Sequence, residues 1–227
     1  MISNFTNALP ESDNTYQSES IIKSMLHLSR MDTRIYFSML KRVDYKANEF
    51  SEIYIDIKAF FKEWKSQSSC DYYLIKDSIK KFQDYTFNYV DSNKKKKLFD
   101  YIKYDYFSHE IVGKFSDDVK SDLLHPRKDF VEVPLSDLAE IKRGQYNAKI
   151  YELLCIASKN GSTTWMIPSR EIAKILSEND LYVKQPYLMM RNIILPSVKT
   201  ITERTNKMNV SCEINRNKRI FFIITRL

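Results

Sequence analysis

Apolar positions recur at helical spacing over residues 20–43, at Ile21, Met25, Leu28, Ile35, Met39 and Leu40, with Asp32 placed to cap a second segment within that run. Residues 52–57 then alternate as a short strand, and 59–64 return to a helical pattern. Over 72–82 the apolar residues Ile75, Ile79 and Phe82 define one face of a helix, and Lys76, Lys80 and Gln83 the opposite one. Residues 85–90 and 98–107 read as a hairpin around the charged tip 91–97, followed by a further strand at about 109–115.

The second half shows the same order of elements. A short helix is predicted at 135–141, with Ser136 near its start. An amphipathic helix at 146–159 is closed by Asn160-Gly161, a left-handed stop. A short strand follows at 165–167, then a helix at 171–176 capped by Ser169, with Ile172, Ile175 and Leu176 facing inward. The last helix runs from Pro186 to Thr205. Pro186 suits its first turn, and Pro196 should kink it or break it near Leu195. Residues 208–214 and 219–225 form a hairpin with the tip Asn215-Arg216-Asn217-Lys218. Helix, short strand, helix, helix and hairpin therefore occur twice, which predicts an α+β, mostly helical fold of two tandem winged helix-turn-helix domains related by a pseudo-repeat. The expected boundaries are a flexible polar tail at 1–18, a first domain at 19–120 and a second at 121–227, with the polar stretch 116–128 joining them.

Composition agrees with folded domains. A chain of 227 residues, 43% hydrophobic, is long enough for two domains of about 110 residues, each with its own core. No stretch reaches the roughly 20 apolar residues of a membrane span. The N-terminus has no basic region followed by an apolar run, so no secretory signal is expected. Cys70, Cys155 and Cys212 are odd in number and far apart, which fits a reducing cytosol.

Charge sharpens the picture. Lys and Arg outnumber Asp and Glu by 19 to 18 over residues 1–120 and by 17 to 11 over 121–227, so most of the net +7 lies in the second half. A basic domain implies an acidic partner, and nucleic acid is the commonest. On the last helix Met190, Ile194, Leu195, Val198 and Ile201 are assigned to the buried side, while Asn192, Lys199, Thr200 and Glu203 lie away from it, with Arg191 at the edge and Lys184 and Gln185 at its entry. Arg pairs with guanine edges, Asn and Gln with adenine, and Lys with phosphate or guanine. Arg216, Lys218 and Arg219 at the hairpin tip are placed for phosphates, which give affinity rather than sequence reading. Lys76, Lys80, Lys81 and the run Lys94, Lys95, Lys96 and Lys97 form a second candidate contact region. The aromatics Tyr85, Phe87, Tyr89, Tyr101, Tyr104 and Tyr106 alternate along strands and are assigned to sheet and core.

Catalytic signals are sparse. Three glycines leave no phosphate-cradling loop, and His27, His109 and His125 stand apart from one another and from any cysteine cluster. Asp117-Asp118 is read as a solvated turn. No enzymatic activity, metal or cofactor is expected.

In the second unit, residues 146–154 (Tyr-Asn-Ala-Lys-Ile-Tyr-Glu-Leu-Leu), 193–201 (Ile-Ile-Leu-Pro-Ser-Val-Lys-Thr-Ile) and 219–224 (Arg-Ile-Phe-Phe-Ile-Ile) resemble the initiator replication proteins of iteron-containing plasmids. In the first, residues 28–34 (Leu-Ser-Arg-Met-Asp-Thr-Arg) and 72–79 (Tyr-Tyr-Leu-Ile-Lys-Asp-Ser-Ile) resemble them too. The resemblance covers roughly residues 20–227. It implies a protein of the bacterial cytoplasm that binds short direct repeats in duplex DNA at a plasmid origin, melts or bends the origin, and recruits host replication proteins, including the replicative helicase. It further implies a switch between an origin-active monomer and a dimer that represses its own promoter, with the first unit making the dimer contacts. Where the family often has a basic pair before the hydrophobic-Pro segment, this chain has Arg191 and Asn192. The alternative is a winged-helix transcriptional repressor with no replication role. An origin-nicking endonuclease and a purely protein-binding scaffold are the readings from other classes.

Overall fold

The computed structural model describes residues 13–66, 71–90, 92, 94–159, 161, 163–177, 180–205 and 207–226. The chain opens with β1 (Asn14–Ser18), α1 (Glu19–Ile22), α2 (Arg30–Leu40), β2 (Ile53–Asp56), α3 (Ile57–Glu63) and α4 (Asp71–Gln83). Next come β3 (Thr86–Asn88), β4 (Lys95–Lys97), β5 (Phe99–Asp105), β6 (Glu110–Phe115), a 3-10 turn (Asp117–Val119), α5 (Lys120–Leu123), β7 (Phe130–Pro134) and α6 (Leu135–Glu140). The remainder is α7 (Asn147–Lys159), β8 (Thr164–Pro168), α8 (Ser169–Leu176), α9 (Asp180–Lys184), α10 (Pro186–Met189), a π turn (Met190–Ile194), α11 (Leu195–Thr205), β9 (Met208–Ile214) and β10 (Arg219–Arg226).

Two three-stranded antiparallel sheets have the same connectivity, β2-β6-β5 and β8-β10-β9. In each, the strand after the first long helix pairs with the last strand of the hairpin; α3 and α4 lie between in the first unit, and α8 to α11 with the π turn in the second. That is the winged helix-turn-helix arrangement. The α+β expectation holds, and the hairpin of the second unit falls where the sequence placed it, with Ile220 opposite Ile214 and Ile224 opposite Val210.

The hairpin of the first unit does not. Residues 85–90 do not pair with 98–107. β3 pairs instead with β4, Thr86 opposite Lys97, and β5 pairs with β6. The strand predicted at about 109–115 is therefore the second arm of the wing, and residues 106–109 form its tip. Alternation told which segments were strands but not their partners. The short β3–β4 ribbon is fixed by contacts distant in sequence, among them the Lys97 N–H donating to Asp118 Oδ2 at 2.9 Å.

Local caps also differ from expectation. Ser29, not Asp32, caps α2. Its hydroxyl accepts from Asp32 N at 3.2 Å while Asp32 Oδ2 accepts from Ser29 N at 2.9 Å, a reciprocal capping box. Ser169 is the first residue of α8 rather than its cap, and its N–H donates to Lys218 O at 2.9 Å. Gly161 is left-handed (φ 71), as a helix stop requires, while Asn160 lies outside the described residues.

The tail expected at 1–18 is in part a strand. β1 pairs antiparallel with β7, Asn14 opposite Pro134 and Ser18 opposite Phe130, and residues 1–12 lie outside the described set. β1 carries a buried polar seam between the units. Tyr36 Oη donates to Gln17 Oε1 at 2.9 Å, Gln17 Nε2 donates to Glu152, and Ser18 Oγ donates to Asp122 Oδ1 at 2.6 Å. The 116–128 segment is also no open linker, because Val119, Leu123 and Leu124 are buried. One contiguous apolar cluster joins both units, from Ile21 and Tyr36 to Ile172 and Phe222. Among the described residues no helix is long and apolar enough to cross a membrane.

Candidate nucleic-acid interface

The last helical run is continuous through Pro196, and the reason is the π turn. A proline in an α-helix lacks the N–H for the carbonyl four residues back, and its ring collides with that carbonyl. Here the strain is taken up by widening the preceding turn: Leu195 N–H bonds to Met190 O, five residues back. The expected kink or break thus appears as one wide turn, and α11 continues to Thr205.

This run buries Met189, Met190, Ile193 and Ile194 before the proline and Ser197, Val198, Ile201 and Thr205 after it. The opposite side is exposed at Arg191, Asn192, Leu195, Pro196, Lys199, Glu203 and Arg204. Leu195 was expected on the buried side and is 47% exposed. Four residues after Arg191 and four before Lys199, it belongs on their stripe at about 100° per residue.

The polar groups of this face are weakly committed. Arg191 Nε donates to Asn192 Oδ1 at 3.2 Å, which sets the two side by side. Lys199 Nζ lies 3.8 Å from Glu203 Oε1, with both side chains more than half exposed. An exposed pair of this kind contributes little and exchanges readily for a phosphate or a base edge. Lys184 ends α9 and Gln185 precedes α10, both exposed at the entry of the run.

The wing of the second unit is a tight, ordered turn. Asn215 N donates to Arg219 O, Asn215 Oδ1 accepts from Arg219 N, and Lys218 N donates to Asn215 O, each at 3.0 Å. Lys218 is left-handed (φ 55), and Arg216, Lys218 and Arg219 are all exposed. Because Lys218 O accepts from Ser169 N, the tip is bonded to the start of α8. That contact brings up a residue the sequence reading missed. Arg170, exposed in the first turn of α8, stands beside the basic tip. Its signal in the sequence was only a lone arginine next to a helix start, and the Ser169–Lys218 bond that gives it meaning links residues far apart in the chain.

In the first unit the predicted lysines are divided. Lys76 and Lys80 are exposed on α4, with Lys76 Nζ 4.8 Å from the centre of the Tyr106 ring. Lys81 is also exposed, but it is paired within the fold. Its ammonium is 2.6 Å from Asp32 Oδ2 and 5.2 Å from the centre of the Tyr85 ring. Lys94 and Lys95 are exposed, whereas Lys96 Nζ donates to Asp118 O at 2.8 Å and Lys97 Nζ to Asp100 O at 3.1 Å. The run 94–97 was expected at a wing tip. Lys95 to Lys97 of it form β4, away from the tip, and the first wing ends instead in the exposed aromatics Tyr106 and Phe107. Tyr106, at that tip, departs from the expected sheet-and-core role, while Tyr101 and Tyr104 in β5 and Phe87 in β3 keep a place in the sheets, Tyr101 with its ring exposed. Asp118 is no open turn residue, since it accepts from Lys97 N.

A family described as "Initiator Replication protein, WH1" matches residues 14–155, from β1 into α7. No curated protein matches the chain. Among solved structures, the crystal structure of the Pi initiator protein in complex with iteron DNA is similar with a TM-score of 0.78, at 14% identity, over 96% of this chain and 99% of that one. At that identity the likeness is one of fold.

Proposed function

The chain belongs to the initiator replication protein family, and we propose that it initiates plasmid replication by binding directly repeated duplex sites, iterons, at its origin. The observation that carries the reading is the second unit's helix run, sealed into the core on one side and presenting Arg191, Asn192 and Lys199 on the other. The similarity in fold to the Pi initiator, whose crystal structure holds iteron DNA, supports the same use of this face.

In this reading the π turn and α11 enter the major groove. Arg191 and Asn192 read base edges, Lys199 contacts phosphate or guanine, and Lys184 and Gln185 reach the groove at the helix entry. Arg216, Lys218, Arg219 and Arg170 hold the backbone. Lys76, Lys80, Lys94 and Lys95 supply a second, weaker contact from the first unit, and Lys81, Lys96 and Lys97 serve the fold. The protein acts by binding, without chemistry of its own. Residues 121–227 form the main DNA-binding unit, and residues 19–120 add accessory contacts and the surface for a dimer that represses its own promoter. Opening of the origin and recruitment of host replication proteins, the replicative helicase among them, complete the role, in the bacterial cytoplasm.

The test is competition binding between a duplex carrying the repeats that flank the gene and a scrambled duplex of the same composition. Specific initiators prefer their site by about 10³-fold or more. A preference of that order, centred on direct repeats, supports the proposal. Equal affinity for both duplexes would remove it.

A further inference from the structure

The exposed stripe that reads DNA in this account is not wholly polar. Leu195 and Pro196 sit in its middle, both exposed, with Arg191 and Asn192 one turn before and Lys199 and Thr200 one turn after. Neither has a role in the core, which is filled from this run by Ile193, Ile194, Val198 and Ile201. Pro196 accounts for the π turn, but that turn asks nothing of the side chain at 195. A polar residue there would leave the helix and its buried side unchanged. The base edge that suits an aliphatic side chain in the major groove is the thymine C5-methyl, which no other base carries there.

Resting on the reading of this face as a duplex-binding surface, we propose that Leu195 is a specificity-determining residue that packs on a thymine methyl between the bases or phosphates met by Arg191 and Lys199. The occupant follows from the flanking charges. A leucine between cations four residues away on either side faces an anionic partner with an apolar patch, and in duplex DNA that patch is the thymine methyl. Arg191 then reads a neighbouring base, Lys199 adds affinity, and Leu195 rejects cytosine or a purine at one position in each repeat.

The experiment uses synthetic duplexes of the protected repeat, with each thymine replaced in turn by deoxyuridine so that one methyl is lost and all pairing is kept. Wild-type protein should bind one such duplex about three- to five-fold more weakly, the size expected for one methyl returned to water. Leu195→Ala should bind the parent repeat more weakly and lose the difference between thymine and uracil at that position. Leu195→Met should keep it. Thermal unfolding of Leu195→Ala should match wild type, because the side chain is exposed and alanine suits a helix. No uracil-sensitive position, or the same uracil penalty in wild type and Leu195→Ala, overturns the proposal while leaving iteron binding intact. An equal loss by Leu195→Ala on every duplex, random ones included, also overturns it and makes Leu195 a contact of another kind. Failure of the wild-type protein to prefer any repeat would remove the functional reading and this inference together.

Discussion

Asp32 sits where two demands on the sequence meet, and replacing it separates them. Its carboxylate is buried, accepts from Ser29 N at 2.9 Å to close the capping box of α2, and lies 2.6 Å from Lys81 Nζ. Burial alone would raise its pKa. Hydrogen bonds from Lys81, Ser78 and the Ser29 N–H outweigh that, and the carboxyl is held below its ordinary value. Asp32→Ala removes the reciprocal half of the cap, worth about 1 kcal/mol. It also removes the charged hydrogen bond to Lys81, worth about 1.5 kcal/mol, the low end because Lys81 is partly exposed. A loss of about 2–3 kcal/mol should lower Tm by about 5–10 °C in a chain of this length. The sign with pH follows from the depressed pKa. The stabilisation is complete above the unfolded value near about 4 and is lost as pH falls through the lower folded value. Thermal unfolding followed by circular dichroism at pH 7, and then stepwise towards pH 3, should show the gap between wild type and variant closing below about pH 4. A variant as stable as wild type at pH 7, or a gap that widens in acid, would refute the reasoning. Lys81→Met should give a smaller loss of Tm and leave the salt dependence of DNA binding unchanged. A reduced salt slope would return Lys81 to the DNA interface.

Three further outcomes are expected. Arg191→Ala should weaken binding to the cognate repeat by about 1–3 kcal/mol and to random duplex far less, and equal losses on both would make Arg191 a phosphate contact. Lys218→Asn keeps a residue that tolerates the left-handed backbone, so it should weaken both kinds of duplex and reduce the slope of log K against log salt by about one, while an unchanged slope would count against the wing contact. Burial pushes the Cys155 thiol up to about 12 and the Cys212 thiol up to about 11. A Cys70→Ser protein should therefore label slowly at pH 8 while folded, Cys155 more slowly than the half-buried Cys212, and rapid labelling of Cys155 in the folded protein would contradict its burial.

What could be read from the sequence depended on how local the cause was. Helix α7 carries its own signal, with an apolar side from Ile150 to Ile156 and a left-handed Gly161 after it, and the structure places it within a residue of expectation. The wing of the second unit is equally local, a short charged turn between two β-branched and aromatic runs. Strand pairing in the first unit was not legible. Residues 85–90 and 98–107 have the alternation of a hairpin, but the choice of β6 as the partner of β5 rests on packing of Phe99 against Phe115, sixteen residues away. The charge of Lys94 to Lys97 pointed to a tip for the same local reason, while the carbonyls of Asp118 and Asp100 that Lys96 and Lys97 bind were invisible. Leu195 was misplaced because an apolar residue beside Ile194 was assigned to the core by type. Counting from Arg191 and Lys199 puts it on the outer face. Arg170 and the β1 strand were missed because their meaning lies in contacts distant in sequence, the bond of the neighbouring Ser169 to Lys218 and the pairing of β1 with β7.

The central claim is that the outer side of α11 and its π turn recognises direct repeats in duplex DNA. A footprint of the purified protein on the DNA flanking its gene, at two salt concentrations, tests it most directly. The account predicts protection of regularly spaced direct repeats that survives moderate salt and is lost from those repeats in Arg191→Ala. Protection of a single inverted repeat, or diffuse coverage that disappears as salt rises, would contradict it.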